Sequence, residues 1–120
     1  MQKLAKREEQ IMQACWRLGT AFIKDIIAEL PAPKPHYNSV ATMVRILEDK
    51  GFLGHEIFGN TFRYYPAISK EQYQKHAFED IVSKYFNNSY PSMLAYFAKE
   101  QKLSQEELNE ILDIIKSQKK

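Results

Sequence analysis

The sequence predicts a mainly α-helical fold that contains one small β-hairpin. Two observations support this class. Apolar residues recur at helical spacing through most of the 120-residue chain. A single short stretch, HEIFGNTFRYYP at residues 55–66, instead alternates apolar and polar residues around a central Gly-Asn pair. The chain therefore divides into helices that precede the hairpin and helices that follow it.

Three helices are predicted before the hairpin. The apolar stripe of the first consists of Leu4, Ile11, Met12, Cys15 and Trp16. The stripe of the second consists of Phe22, Ile23, Ile26, Ile27 and Leu30, and that of the third of Val40, Met43, Val44 and Leu47. Gly19 and Gly51 are placed to end the first and third helices, and the prolines of PAPKPH end the second. Because Cys15 lies on a core stripe, we expect it to be a small buried hydrophobe.

The hairpin has a register that can be tested by its chemistry. With Gly-Asn as the two-residue turn, Glu56 lies opposite Arg63 and Ile57 lies opposite Phe62. An opposite-charge pair and an apolar pair then occupy alternate faces, whereas a slip of one residue would mix them. An isolated hairpin is only marginally stable, so one face should rest on the helices. The residues expected on that inner face are Ile57, Phe62 and Tyr64.

The residues after the hairpin return to a helical pattern. Ser69 to Gln72 and Ser104 to Glu107 are capping boxes, and Asn87-Asn88-Ser89 separates two helices between them. These helices carry more apolar side chains than so small a unit can bury alone, so we expect pairing with a second copy. The predicted dimer contacts are Tyr73, Ile81, Tyr85, Met93, Leu94, Phe97, Leu108, Ile111, Leu112 and Ile115.

Three helices followed by a hairpin form a winged helix-turn-helix, in which the third helix enters the DNA major groove and the wing touches the backbone. We therefore predict a winged-helix DNA-binding domain over residues 1–68 and a helical dimerisation domain over residues 69–120. The side chains predicted to reach the groove are Asn38, Ser39, Thr42 and Arg45. The predicted wing and backbone contacts are Asn60, Thr61, Arg63, Lys24, Lys34 and His36. Alternatively, Asn38 or Ser39 caps the helix, and Arg63 pairs with Glu56.

Composition excludes several other classes of protein. The chain is 44% hydrophobic and 27% charged, which is typical of globular domains, and its net charge of +2 does not by itself indicate nucleic acid. No apolar run approaches the ~20 residues of a membrane span, so no membrane insertion is expected. The N-terminal segment has no apolar signal region, and a single cysteine excludes an internal disulfide, so we expect a cytoplasmic protein.

Catalysis is not expected. His36, His55 and His76 lie in three different elements without metal-ligand spacing, and no phosphate-binding loop or nucleophile motif is present. We expect no metal and no cofactor. The leading hypothesis from these residues is a homodimeric winged-helix protein that binds double-stranded DNA. One alternative is a winged-helix module that binds only protein. Another is single-stranded RNA binding by the hairpin aromatics, which requires Phe62 and Tyr64 to be exposed.

Several strings resemble the penicillinase and methicillin-resistance repressor family, which also includes copper-responsive repressors. The matching strings are EEQIMQACWRLG, IKDIIAEL, YNSVATMVRILEDKG, FGNTFRYYPAISKEQY and FNNSYPSMLAYFAKEQKLSQEELNEI. The resemblance implies a cytoplasmic homodimer that binds a palindromic operator, with Asn38, Ser39 and Thr42 at positions that place polar groups in the major groove. It also implies regulation by a membrane sensor-protease that responds to β-lactam antibiotics and leads to cleavage near Tyr96-Phe97.

The chain also departs from that family in four places. Tyr96 stands where members regulated by cleavage tend to have asparagine, and Ile46 stands where many members have arginine. Phe22 replaces the usual Ser or Thr cap of the second helix. No cysteine follows Cys15, whereas the copper-responsive branch ends in a cysteine cluster, so copper sensing is not expected.

Overall fold

A computed structural model describes residues 3–100 and 102–118 of the chain, with side chains described up to residue 114. The elements are α1 (Lys6–Leu18), α2 (Ile23–Glu29), α3 (Tyr37–Asp49), β1 (Leu53–Phe58), β2 (Thr61–Pro66), α4 (Lys70–Phe86), α5 (Tyr90–Lys99) and α6 (Gln105–Gln118). The predicted fold class, a winged helix followed by helices, is confirmed.

The chain forms two compact units, residues 1–77 and residues 78–120. The first contains α1 to α3, the hairpin and the beginning of α4, so the boundary between the units falls inside α4. The assignment of DNA binding to residues 1–68 and of dimerisation to residues 69–120 stays a prediction.

The first unit has one apolar core, built on the predicted stripes of its three helices, of which Phe22 and, packed against the core, Trp16, Ile23, Ile27 and Met43 are only partly buried. On α3 the fully buried residues are Val40, Val44 and Leu47, at the i, i+4, i+7 spacing of one helix face. Ile11 and Met12 of α1 meet them in the same core. Leu4, Ala14, Cys15, Ala21, Ile26, Leu30, Phe52, Leu53 and Tyr64 complete the buried cluster. The stripe pattern of the sequence thus identified which side of α3 faces inward.

An ion pair joins the beginning of α1 to the end of α3. The Glu8 carboxylate accepts hydrogen bonds from the Lys50 ammonium and from the Ala5 N–H, each at 2.9 Å. Burial alone raises the pKa of Glu8, but these two donors outweigh it, and the pKa lies below its usual value. Glu8 is thereby held ionised at the edge of the core.

Cys15 is buried in this core, as predicted, with 1% of its surface exposed. Burial raises the pKa of its thiol to about 12. Since the thiolate is the reactive form, a disulfide reagent such as Ellman's reagent should react with the folded protein about 100-fold or more slowly than with the protein in denaturing urea. Comparable rates in the two conditions would contradict this burial.

The beginning of α4 packs on the same core. The Trp16 indole donates a hydrogen bond to the carbonyl of Ile68 at 2.9 Å, just before α4. The Tyr73 ring then lies 5.6 Å from the ring of Trp16 and 6.0 Å from that of Phe52, between centroids. Tyr73 was predicted as a dimer contact, but in the structure its ring is already occupied within its own chain.

The hairpin has the predicted register. Glu56 lies opposite Arg63 and Ile57 lies opposite Phe62. Of the two turn residues, only Gly59 has a positive φ, +64°, as in hairpin turns that need glycine at their first central position. Two backbone hydrogen bonds, of 2.8 and 2.9 Å, join Tyr64 to Ala21 and hold the segment before α2 against β2.

The predicted inner face of the hairpin is right at its base and wrong near its tip. Tyr64 is buried, with 6% of its surface exposed, but Ile57 is 76% exposed and Phe62 is 45% exposed. Alternation fixes which residues share a face, but only the part of that face that lies over the helices is covered. The hairpin extends past the helices, so Ile57 and Phe62 do not pack in the core.

The second unit consists of the rest of α4 with α5 and α6. Both predicted capping boxes form: Ser69 and Gln72, in the first unit, exchange bonds of 2.9 and 3.0 Å at the beginning of α4, and Ser104 and Glu107, in the second, exchange bonds of 2.9 and 3.1 Å at the beginning of α6. Among the described side chains of residues 78–114, only Val82 is buried. Most apolar side chains of this unit are therefore open to a partner.

Candidate nucleic-acid interface

The outer side of α3 is polar. Asn38, Ser39, Thr42 and Arg45 are all exposed, and we call these four residues the recognition face. They lie opposite the buried stripe of the same helix, because a helix that buries one side presents the other to solvent. Thr42 donates a hydrogen bond from its hydroxyl to the carbonyl of Asn38 at 2.9 Å, which fixes its side chain along the helix.

The beginning of α3 is capped by a residue that was predicted to touch DNA. The His36 ring accepts a hydrogen bond from the N–H of Asn38, with 3.4 Å between the nitrogens. The alternative in which Asn38 or Ser39 is the cap is therefore wrong, since both lie inside the helix. Their side chains are free of the capping role and remain available to the groove.

Lys34 also has a structural role inside the chain. Its ammonium donates to the carbonyl of Ala28 at 2.8 Å and to that of Leu30, both at the end of α2. A cation at this position is favourable because the last carbonyls of a helix carry partial negative charge. Lys34 therefore ties the proline-rich turn to α2, and a DNA contact by it stays a prediction.

Arg63 is held on the outer face of the wing. Its Nε donates to the Glu56 carboxylate at 2.7 Å, so the predicted alternative of an ion pair is present. Its guanidinium carbon lies 4.6 Å from the centre of the Phe58 ring, and Phe58 in turn meets Phe22 edge-on at 5.6 Å. This chain of contacts connects the wing to the beginning of α2.

On the opposite face, the wing is joined to the end of α3. The His55 ring contacts the Glu48 carboxylate, and the ring of Phe62 stacks on His55 with 4.2 Å between centroids. Beside them, burial and the Glu48 charge raise the pKa of Tyr64. The His55–Glu48 pair could not be predicted from local patterns, because the two residues lie seven positions apart on different elements. The burial of Tyr64 removes one of the two exposed rings that RNA stacking requires.

A cleft of about 290 Å³ lies between α2, α3 and the wing tip. It is lined by Phe22, Ile23, Lys24, Tyr37 and Thr61. Lys24 and Thr61 were predicted as backbone contacts, and the structure brings them to one place. Tyr37 was missed by sequence reasoning, although an exposed aromatic directly before the polar run of α3 could have indicated it. Asn60 is exposed at the adjoining wing tip.

The family model for the penicillinase repressor matches residues 4–117 of the chain. The chain belongs to the penicillinase repressor family. It is 27% identical over 122 residues to the penicillinase repressor of Bacillus licheniformis. The alignment covers 98% of this chain and 92% of that protein. The chain is 22% identical over 114 residues to the methicillin resistance regulatory protein MecI of Staphylococcus aureus (strain N315). That alignment covers 94% of this chain and 93% of MecI. The resemblance found in the sequence is confirmed.

Members of the penicillinase repressor family regulate transcription, so this chain is a DNA-binding transcriptional repressor and not an enzyme. Among the described residues, no group of three or more His, Cys, Asp or Glu side chains is placed to hold a metal ion. Within the same residues, no helix combines the length and the apolar character needed to cross a membrane.

Proposed function

We propose that this penicillinase repressor family member acts as a cytoplasmic homodimer on a palindromic operator, with α3 in the major groove. The observation that carries the proposal is the recognition face, a set of four exposed polar side chains that includes no carboxylate. They lie on the helix that a winged helix-turn-helix inserts into DNA, and the acidic residues of that helix, Glu48 and Asp49, lie at its far end. Arg45 is suited to bidentate bonds with guanine and Asn38 to bonds with adenine, whereas Ser39 and Thr42 suit bases or phosphates. Asn60 and Thr61 at the wing tip would then meet the neighbouring backbone.

The proposed dimer contact uses the exposed apolar side chains of the second unit. Among the predicted contacts, Tyr85 is 75% exposed, Leu112 50%, Ile81 43% and Phe97 37%. Met93, Leu94, Leu108 and Ile111 are partly buried, and the side chain of Ile115 lies outside the described residues. A self-complementary apolar contact would cover this surface and set two copies of α3 against two half-sites about one helical turn apart, or a multiple of it.

The test of the recognition face is the double variant Arg45→Ala, Thr42→Ala. Each lost base contact costs about 1–3 kcal/mol, so we expect operator affinity to fall by about tenfold or more and discrimination against unrelated DNA to shrink. Fluorescence anisotropy with labelled DNA from the region upstream of the protein's own gene, over a salt series, would measure the affinity and the discrimination. Lys75→Ala, which removes a positive charge from the exposed side of α4, is the matched control. Unchanged affinity in the double variant would show that the recognition face is wrongly assigned.

The protein-binding alternative predicts a different result in the same assay. A winged helix used only for protein contacts would be indifferent to duplex DNA at every salt concentration. A DNA-binding protein loses affinity steeply as salt rises, because its cations displace counterions from the phosphates. Gel filtration beside the anisotropy series would establish whether the species that binds, or fails to bind, is a dimer.

Regulation in response to antibiotics is the second part of the proposal. The bond between Tyr96 and Phe97 lies in α5, and 51% and 37% of the surfaces of these residues are exposed. Their rings lie 5.6 Å apart, and Tyr96 also meets Phe86 at 5.8 Å, so a cut there would break an aromatic cluster of the proposed dimer unit. The test of this cleavage is to co-express the protein with any membrane protease encoded next to its gene. After exposure to a β-lactam, mass spectrometry would measure the fragments. An intact chain would contradict this route.

A further inference from the structure

We propose that the cleft between α2, α3 and the wing tip binds one phosphodiester of the DNA backbone, with Tyr37 as a contact residue beside Lys24 and Thr61. This inference rests on the proposed function, because it presupposes that α3 enters the major groove. It adds a single site in which side chains from three elements act on the same phosphate.

The position of the cleft is the first argument. When α3 lies in the major groove and the wing tip lies over the adjacent minor groove, the DNA backbone that separates the two grooves must pass between α3 and the wing. The cleft has Tyr37, the first residue of α3, on one side and Thr61, the first residue of β2, on another. The paired hydrogen bonds between Ala21 and Tyr64 hold the segment that leads into α2 against β2, which keeps Lys24 beside the wing tip.

The chemistry of the lining is the second argument. Lys24 is exposed, and its ammonium has no ion pair or hydrogen bond with any described residue. The hydroxyl of Tyr37, a residue that is 52% exposed, likewise donates to no described atom. Together with the hydroxyl of Thr61, these groups offer one cation and two neutral donors to the two non-bridging oxygens of a phosphodiester. The closest carboxylate along the chain, Asp25, is bound to the N–H of Phe22 at 3.0 Å.

The apolar part and the size of the cleft agree with this ligand. Phe22 and Ile23 line it as well, and they present carbon surface of the kind that packs against deoxyribose. The volume, about 290 Å³, is at the lower limit of small-molecule pockets and suits a single phosphate with part of a sugar. A phosphate site carries no sequence information, so it would fix the position of the protein on DNA without selecting the operator.

Salt dependence provides the first test. In Lys24→Met, the logarithmic slope of affinity against salt should decrease by about two, which is about one for each copy of the proposed dimer, and binding to the operator and to unrelated duplex should weaken by the same factor. Lys75→Met, an identical change on the exposed side of α4, should leave both quantities unaltered. If unmodified protein binds duplex DNA but Lys24→Met has an unchanged slope, the phosphate site is wrong while the proposed function stands. If unmodified protein binds no duplex, both are wrong.

The second test locates the phosphate. The probe is a duplex that the protein selects from a random pool, with a neutral methylphosphonate placed at one backbone position at a time. We expect one position in each half-site where the methylphosphonate weakens unmodified protein at least about threefold but has little further effect on Lys24→Met, because both changes remove the same contact. Tyr37→Phe, which keeps the ring and loses only the hydroxyl, should show a smaller coupling at the same position. Additive effects at every position would overturn the proposal.

Discussion

Replacing Tyr85 with glutamate is expected to convert the protein to a monomer and to lower its operator affinity by about 100-fold or more. The side chain is 75% exposed within its own chain, so the substitution should leave the fold of each copy intact. In a symmetric dimer the change introduces two carboxylates into an apolar contact, and each would have to lose its hydration without gaining a partner. A cost of even a few kcal/mol gives this loss of affinity. Light scattering and anisotropy with operator DNA would measure the two effects.

Ser83→Glu is the matched control, since it adds the same charge two positions earlier, on a different side of α4. Ser83 is exposed and does not lie on the apolar stripe formed by Phe78, Ile81 and Tyr85. It should stay dimeric and bind operator normally. If Tyr85→Glu stayed dimeric too, this side of α4 would not be part of the interface, and the contact would have to be sought on α5 and α6.

Replacing Phe52 with alanine is expected to lower the free energy of unfolding of the first unit by about 3–5 kcal/mol. Phe52 lies between α3 and β1, and 1% of its surface is exposed. Its N–H donates to the carbonyl of Leu47 at 2.9 Å, and its carbonyl accepts from Ala67 at 2.8 Å, so the backbone cannot readily move to fill the cavity. Because the free energy of unfolding of a domain is typically only about 5–15 kcal/mol, this one cavity would remove a large share of the stability of the unit.

Urea unfolding would measure this loss by the fluorescence of Trp16, which is the only tryptophan and reports on the first unit. Phe58→Ala removes the same ring from the wing, where 52% of the residue is exposed, and should cost about 1 kcal/mol. Equal losses in the two variants would mean that the ring of Phe52 contributes no more than a surface ring.

Local patterns were enough to predict the helices, the core side of α3 and the register of the hairpin. These features depend on spacing along a few residues, and the Gly59-Asn60 turn links the two strands directly. The exposure of Ile57 and Phe62 could not be predicted in this way. Alternation shows that they share a face with Tyr64, but whether helices lie beneath that face depends on the length by which the wing passes the body of the unit.

Contacts inside the protein that three of the predicted site residues make have a similar physical origin. The side chains of His36 and Lys34 can bind DNA phosphates. The same side chains can also bind backbone groups at helix ends, and in the structure His36 binds an N–H at the beginning of α3 and Lys34 binds carbonyls at the end of α2. Tyr73 lies on an apolar helical stripe that suits either a dimer contact or the core of its own unit. A sequence shows the chemistry of such a group, whereas only the folded chain shows which of two partners is within reach.

The burial of Cys15 has a practical consequence for measuring the assembly. Because its thiol is shielded from solvent, Cys15 should not react with thiol-specific labels, and it does not have to be replaced before another position is labelled. A cysteine introduced at the exposed wing-tip position Asn60 would be the one accessible thiol in each copy. Spin labels attached there would give a single distance between two copies in solution, from which the separation of the operator half-sites could be estimated before any operator is known.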